Sequence, residues 1–176
     1  MKILKNKYKM LLVFIPVAYF SVFFHEVGHW TIGEMLGNDL TLRLNGVSTK
    51  NGGELLENTS LYLLCGGVGF TLLLTIIFWG IIEKYKVIYA YPVVFFNFFF
   101  RLFPQIMNFD AQDEAKISML LGIGKYTVAI IVIISLFLMT LRAYYVLKLN
   151  YKENLLYLVV SLFCTILVVI TDLLLF

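Results

Sequence analysis

The chain has 176 residues, of which 61% are apolar, 16% aromatic and only 14% charged. This composition excludes an ordinary soluble domain and indicates a polytopic membrane protein, in which several spans leave no room for a second folded unit. The net charge of +3 comes largely from lysines that precede the first apolar run, at Lys2, Lys5, Lys7 and Lys9. We interpret these lysines as flanking a membrane span, and we expect no binding of nucleic acid.

Apolar stretches of membrane length predict about five transmembrane helices, and therefore an all-α polytopic fold. The stretches cover residues 10–36, 61–82, 87–103, 126–147 and 155–176. The third stretch is short, so the helix could be tilted, broken or partly re-entrant. The first stretch is too long for a signal peptide and lacks a small-residue cleavage site, so we interpret it as a retained span.

The first predicted span contains the only two histidines of the chain, in the sequence His25-Glu26-Val27-Gly28-His29. This is the H-E-x-x-H pattern of zinc hydrolases. Residues i and i+4 project from one face of a helix, so the two imidazole rings can bind one metal ion. Glu26 stands beside the first ligand, where it can hold a water molecule and accept its proton. A carboxylate within a spanning helix costs roughly 2.5–3.5 kcal/mol on insertion scales, which marks Glu26 as a functional candidate.

The segment after the first predicted span has the pattern of a short β-hairpin. Apolar and polar residues alternate over 40–44, and turn signals follow at 45–46 and 51–53. We expect a hairpin-like or re-entrant segment at the membrane surface, with a plain polar loop as the alternative. An exposed edge strand there would be able to pair with an extended substrate backbone.

Three glycines lie near the start of the second predicted span, at Gly66, Gly67 and Gly69. Small residues let helix backbones approach one another in membranes, so we expect these glycines to permit close helix packing. Close approach of the backbone to the active site is the alternative.

A catalytic zinc ion needs a third protein ligand, and the chain offers no third histidine. Cys65 and Cys164 lie in apolar segments and are interpreted as packing residues, so a carboxylate has to serve. Asp110, Asp113 and Glu114 cluster after the third predicted span. We choose Asp113 because the sequence from this position predicts a helix start, and Asp110 is the reserve. The alternative is that all three are solvated loop carboxylates.

Residues 25–37 resemble the first catalytic helix of the site-2 protease family of intramembrane zinc metalloproteases. Members of that family have H-E-x-G-H, then a small residue and a leucine-glycine end. A later span of the family supplies an Asn–Pro–Asp-Gly type motif, whose aspartate is the third zinc ligand. The resemblance assigns these roles to Asn97, Pro104 and Asp113, and Glu114 stands where the glycine is usual.

The resemblance implies an intramembrane zinc endopeptidase that cuts a membrane-spanning protein or peptide. Zinc would be bound by His25, His29 and Asp113, and Glu26 would be the general base. Asn97 would hydrogen-bond the oxyanion or the substrate backbone. The polar residue that follows it in the same span, Arg101, is interpreted as an interfacial anchor.

The resemblance covers roughly residues 20–120, and we place the catalytic core at roughly residues 10–120 of a single transmembrane metalloprotease domain, 1–176. The expected partners are the substrate and the lipid bilayer, and the expected location is the cell membrane. Two other functions stay open. One is a catalytically inactive zinc-binding regulatory protein. The other is a membrane zinc protease of another class, which would take its third ligand from a glutamate.

The distribution of basic residues gives an expectation for orientation. Nine of the fourteen lysine and arginine residues fall on the side of the N-terminus if five spans alternate in direction. This bias favours an N-terminus on the inner side, with the histidine pair nearer the outer side. The resemblance implies the opposite, an active site toward the cytosol, so both orientations stay open.

Overall fold

A computed structural model describes residues 2–175 of the chain. The described residues form six α-helices and one two-stranded hairpin, which confirms the predicted all-α class. The elements in chain order are α1 (Lys2–Met35), β1 (Leu40–Arg43), β2 (Gly46–Thr49), α2 (Ser60–Tyr85), α3 (Tyr91–Met107), α4 (Asp113–Leu120), α5 (Thr127–Val146) and α6 (Tyr151–Leu175). Single turns of 3-10 helix lie at Lys50–Gly52, Ile88–Ala90 and Phe109–Ala111.

Within the described residues, four helices are long and apolar enough to cross a membrane. They are Leu12–Met35, Ser60–Tyr85, Thr127–Val146 and Tyr151–Leu175, with mean hydropathies between 1.3 and 2.7. These helices coincide with four of the five predicted spans. The third predicted span corresponds to α3, which has 17 residues and is not among the four. Most of its side chains are buried, because α3 lies inside the bundle that the longer helices form.

The positions of two prolines explain why α3 differs from the predicted limits of 87–103. Pro92 lies in the first turn of the helix, where the missing N–H group has no intrahelical partner to lose. The predicted limit at residue 103 lies one residue before Pro104, but α3 continues through this proline to Met107. A proline so close to the helix end removes a single hydrogen bond, and the carbonyl of Pro104 still accepts one from the N–H of Asn108 at 2.8 Å.

An aromatic cluster holds α3 between α1 and α6. The rings of Phe14, Phe95 and Tyr157 come one from each helix, and their centroids are 5.2 to 6.2 Å apart. The hydroxyl of Tyr91 donates to Asn154 at 3.0 Å. Aromatic pairs of this kind add about 0.5–1.5 kcal/mol each beyond their buried area. The cluster therefore holds the first half of α3 against α1 and α6.

The segment after α1 is a hairpin, as predicted, and not a plain loop. Strands β1 and β2 pair antiparallel, with Leu40 opposite Thr49 and Arg43 opposite Gly46. Asp172 of α6 anchors the turn: one carboxylate oxygen accepts from Arg43 at 3.1 Å and the other from the backbone N–H of Asn45 at 3.2 Å. The hairpin is therefore held against the end of the last helix.

Two glycines bring the backbones of α1 and α2 into contact. A Cβ atom added to Gly28 would lie 2.5 Å from the carbonyl oxygen of Gly66, and a Cβ atom on Gly66 would overlap the carbonyl oxygen of Gly28. Neither backbone can retreat without separating the helices. The expected close packing is confirmed for Gly66, whereas the corresponding position of Gly69 is open.

The contact between the two backbones is tested by Gly66→Ala, with Gly69→Ala as the matched control. We expect Gly66→Ala to lower the stability of the purified protein by about 1–3 kcal/mol, because an extra methyl group has to push α1 and α2 apart. Gly69→Ala should leave stability unchanged or raise it by up to about 1 kcal/mol, since alanine favours the helix and meets no neighbour. Thermal unfolding in detergent measures the difference. Equal midpoints for the two variants would contradict this packing.

Candidate metal centre

Three side chains predicted as metal ligands meet at one point inside the bundle. His25 and His29 project from one face of α1, and Asp113 is the first residue of α4. Asp113 Oδ2 lies 3.0 Å from His25 Nε2 and 3.3 Å from His29 Nε2, and the two Nε2 atoms are 3.0 Å apart. Three such groups within 4.8 Å of one another form a site that could hold a metal ion.

The outer hydrogen bonds of the histidines turn both Nε2 atoms toward this point. His29 Nδ1 lies 2.8 Å from the carbonyl oxygen of Leu63, which can only accept, so Nδ1 carries the proton. His25 Nδ1 lies 3.0 Å from the hydroxyl of Thr71, which itself donates to the carbonyl of Gly67 at 3.2 Å and so accepts from His25. Both Nε2 atoms of the neutral rings therefore present lone pairs, as metal-binding histidines do.

The electrostatics of the site favour a cation. His25 is only 3% exposed and His29 is also buried, so water screens the group weakly. The Arg101 guanidinium, whose Nη1 lies 3.4 Å from Asp113 Oδ2, favours the ionised carboxylate. Two nitrogen lone pairs and a carboxylate oxygen repel one another at about 3 Å unless a positive charge lies between them.

Gly67 provides the space for the imidazole rings. A Cβ atom at this position would overlap His29 Nε2 and lie 2.6 Å from His25 Cε1. Any other residue would therefore displace the ligand atoms themselves. Of the two expectations for the glycines of α2, close helix packing is right for Gly66, and approach of the backbone to the site is right for Gly67.

The metal group opens into a cavity of about 460 Å³. Glu26 lies in the wall of the same cavity and is 8% exposed. The turn and second strand of the hairpin form another part of the wall through Asn45, Gly46 and Val47. The remaining lining residues come from α1 to α4 and the turn before α4: His25, His29, Leu63, Leu64, Phe100, Arg101, Ala111, Gln112, Asp113 and Lys116.

Two other candidates lie away from the metal group. Asn97 is fully buried and donates to the hydroxyl of Thr75 at 2.9 Å, and it does not line the cavity. Its role in binding substrate therefore stays a prediction, because the Asn97 side chain does not line the metal cavity. Asp110, the reserve ligand, is exposed and forms an ion pair with Lys125. The choice of Asp113 over Asp110 agrees with the geometry.

Arg101 was expected to be an interfacial anchor, and this interpretation is wrong. The side chain is 5% exposed and lines the cavity, with Nη1 3.4 Å from Asp113 Oδ2 and 3.5 Å from Glu114 Oε1. A charged residue inside an apolar stretch is a functional candidate by default, because its burial is costly. That signal was present in the sequence. The position of Asp113 and Glu114 beside Arg101, which depends on the tertiary fold, was not.

Comparison of the chain with known proteins finds no match: no family model, no curated protein and no solved structure is similar to it. The resemblance to site-2 proteases rests on the motif residues alone.

The third ligand is tested by Asp113→Ala. The matched control is Asp110→Ala, in the turn between α3 and α4. We expect the affinity of the purified protein for zinc to fall more than about tenfold in Asp113→Ala, since even the loss of an outer hydrogen bond to a ligand costs about 10–100-fold. Asp110→Ala should bind zinc like the unaltered protein. Competition with a chelator, followed by elemental analysis, measures both. Zinc loss in the Asp110 variant alone would contradict the assignment.

Proposed function

We propose that the protein is an intramembrane zinc endopeptidase, which hydrolyses a peptide bond of a membrane-spanning substrate. The observation that carries the proposal is the convergence of His25 Nε2, His29 Nε2 and Asp113 Oδ2 in a cavity that also holds Glu26. Two imidazoles and one carboxylate that leave a position open are the ligand type of catalytic zinc. A structural site would have a fourth protein ligand.

The ligand residues fit a zinc ion in their charge, in the distances between their donor atoms and in the hydrogen bonds that hold the two imidazole rings. His25, His29 and Asp113 would hold the ion, and the hydrogen bonds from His25 to Thr71 and from His29 to Leu63 would orient the rings. When bound, zinc supplies Lewis-acid polarisation of a carbonyl group and lowers the pKa of a water molecule.

Glu26 performs the proton transfers in this mechanism. Its carboxylate accepts a proton from the attacking water as the water oxygen forms a bond to the carbonyl carbon. The carbon–nitrogen bond then breaks, and Glu26 returns the proton to the leaving amine. Its position next to His25 on α1, in the lining of the same cavity, supports this role.

The hairpin offers a way to present the substrate in extended form. Within the described residues, β2 pairs with β1 alone, so its other edge has no strand partner. Gly46 and Val47 of β2 line the metal cavity. A substrate strand that pairs with this edge would expose its peptide bonds beside the metal group, whereas peptide bonds in a helix are shielded.

The membrane setting supports a substrate that is itself in the bilayer. Large apolar side chains cover the outward faces of α5 and α6, and their exposure is typical of a surface that contacts lipid. Examples are Ile131, Leu138, Leu155, Phe163 and Leu173. We propose a multi-pass protein of the cell membrane, with α3 as a fifth, short crossing helix inside the bundle.

Two alternatives have less support from the geometry. A zinc protease with a glutamate as third ligand would need Glu114 in the metal group, but Glu114 pairs with Arg101 and the carboxylate beside the histidines belongs to Asp113. A regulatory zinc protein would not need a glutamate in the lining of the same cavity as the ligands. Glu26 in the cavity therefore favours hydrolysis.

Proteolysis is tested by Glu26→Gln in liposomes that contain a library of synthetic transmembrane peptides, with products read by mass spectrometry. We expect cleavage to fall by about 10²–10⁴-fold at unchanged zinc content, because glutamine cannot accept the proton. Glu34→Gln is the matched control on α1. Its side-chain oxygen accepts from the N–H of Leu40 at 2.7 Å, and an amide oxygen can do the same, so cleavage should persist. Unchanged cleavage by the Glu26 variant would refute the mechanism.

A further inference from the structure

Arg101 is a buried cation in the wall of the metal cavity, and the mechanism above gives it no role. Its guanidinium carbon lies 4.8 Å above the Phe100 ring, and the side chain is almost free of solvent. A buried charge has to be compensated by an opposite charge or by strong hydrogen bonds. The two carboxylates at the start of α4 provide that compensation.

The two carboxylates have different tasks once a cation occupies the metal group. Asp113 Oδ2 faces both Nε2 atoms, so its charge is shared with the metal ion. Glu114 is 0% exposed, and its one ion pair within the described part of the chain is with Arg101. Glu114 is therefore the counter-ion that keeps a positive guanidinium beside a metal ion of the same sign.

The guanidinium retains donors for another partner. Its distances to Asp113 and Glu114, 3.4 and 3.5 Å, are longer than those of strong charge-assisted hydrogen bonds. Its Nε atom is buried and has no hydrogen-bond partner in the described structure. A guanidinium has five N–H donors in a fixed plane and does not lose its proton near a metal ion. The side chain is thus suited to bind a further anionic oxygen.

We propose that Arg101 donates to the carbonyl oxygen of the scissile peptide bond and stabilises the negative charge that develops there, and that Glu114 positions Arg101. The inference rests on the proposed function. Nη1 lies beside the same Asp113 oxygen that contacts both histidines, so the guanidinium reaches the place where the carbonyl is attacked. Among buried side chains, where solvent screens charge weakly, a preorganised donor of this kind acts more strongly than it would in bulk water.

The test compares Arg101→Gln, Arg101→Lys and Glu114→Gln with Arg142→Gln, an exposed arginine paired with Glu83. We expect Arg101→Gln to lower kcat by about 10²–10³-fold, with zinc content unchanged and KM within about threefold. Arg101→Lys keeps the charge opposite Glu114, and so protects folding, but loses the planar donors. It should still lower kcat at least about tenfold. Glu114→Gln should lower kcat in the same way, and Arg142→Gln should not.

A second readout is independent of turnover. Azide binding to the cobalt(II)-substituted protein, followed by visible absorption, places a negative charge in the cavity. We expect Arg101→Gln to weaken azide binding at least about tenfold at unchanged cobalt content, because the guanidinium attracts the anion in a weakly screened cavity. A structural role would instead reduce the cobalt content and leave the azide affinity of the loaded fraction unchanged.

The outcomes separate this inference from the proposed function. One outcome would overturn only the role of Arg101 and leave the proposed function intact. In it, the unaltered protein cleaves peptide, and Arg101→Gln and Arg101→Lys keep the same kcat and azide affinity. Loss of zinc in both Arg101 variants would also overturn it, since the residue would then act by holding Asp113. Failure of the unaltered, zinc-loaded protein to cut any peptide would overturn the proposed function.

Discussion

The contact between the backbones of α1 and α2 at Gly28 and Gly66 determines the rest of the site. Because the helices touch there, α2 places the carbonyl of Leu63 and the hydroxyl of Thr71 within reach of the two imidazole rings. The same closeness would put any side chain at position 67 into the histidines. The first helix supplies the two histidine ligands, and the second fixes their tautomers and leaves room for them.

Three charged side chains near α1 and α2 are buried or nearly so, and they lie against one another. Asp113 completes the metal group, Glu114 follows it directly, and Arg101 of α3 lies between the two carboxylates. Each of these charges would be costly alone in an apolar bundle. A divalent cation beside Asp113, Glu114 and Arg101 would leave one positive charge, which the carboxylate of Glu26 in the same cavity would balance. This balance explains why the acidic residues at the start of α4 are tolerated inside a structure whose other interior groups are mostly apolar.

The parts of the site that depend on local geometry could be predicted from the sequence. The period of the helix places His25 and His29 on one face, and the acids at the predicted start of a helix directed the search to Asp113. The different roles of Gly66 and Gly67 depend on how α2 is rotated against α1, and no pattern within either helix contains that angle. Arg101 was misplaced for the same reason, since its partners lie on another element. The third apolar stretch was recognised as a helix, but its burial inside the bundle comes from long-range packing of aromatic rings.

The central claim, a zinc ion held by two histidines and one carboxylate, is tested most directly by X-ray absorption at the zinc edge of the purified protein. Ligation by His25, His29 and Asp113 predicts scattering from two imidazole rings and at least one oxygen ligand at about 2.0–2.2 Å, with no sulfur at about 2.3 Å. Sulfur ligation, or fewer than two imidazole ligands, would contradict it.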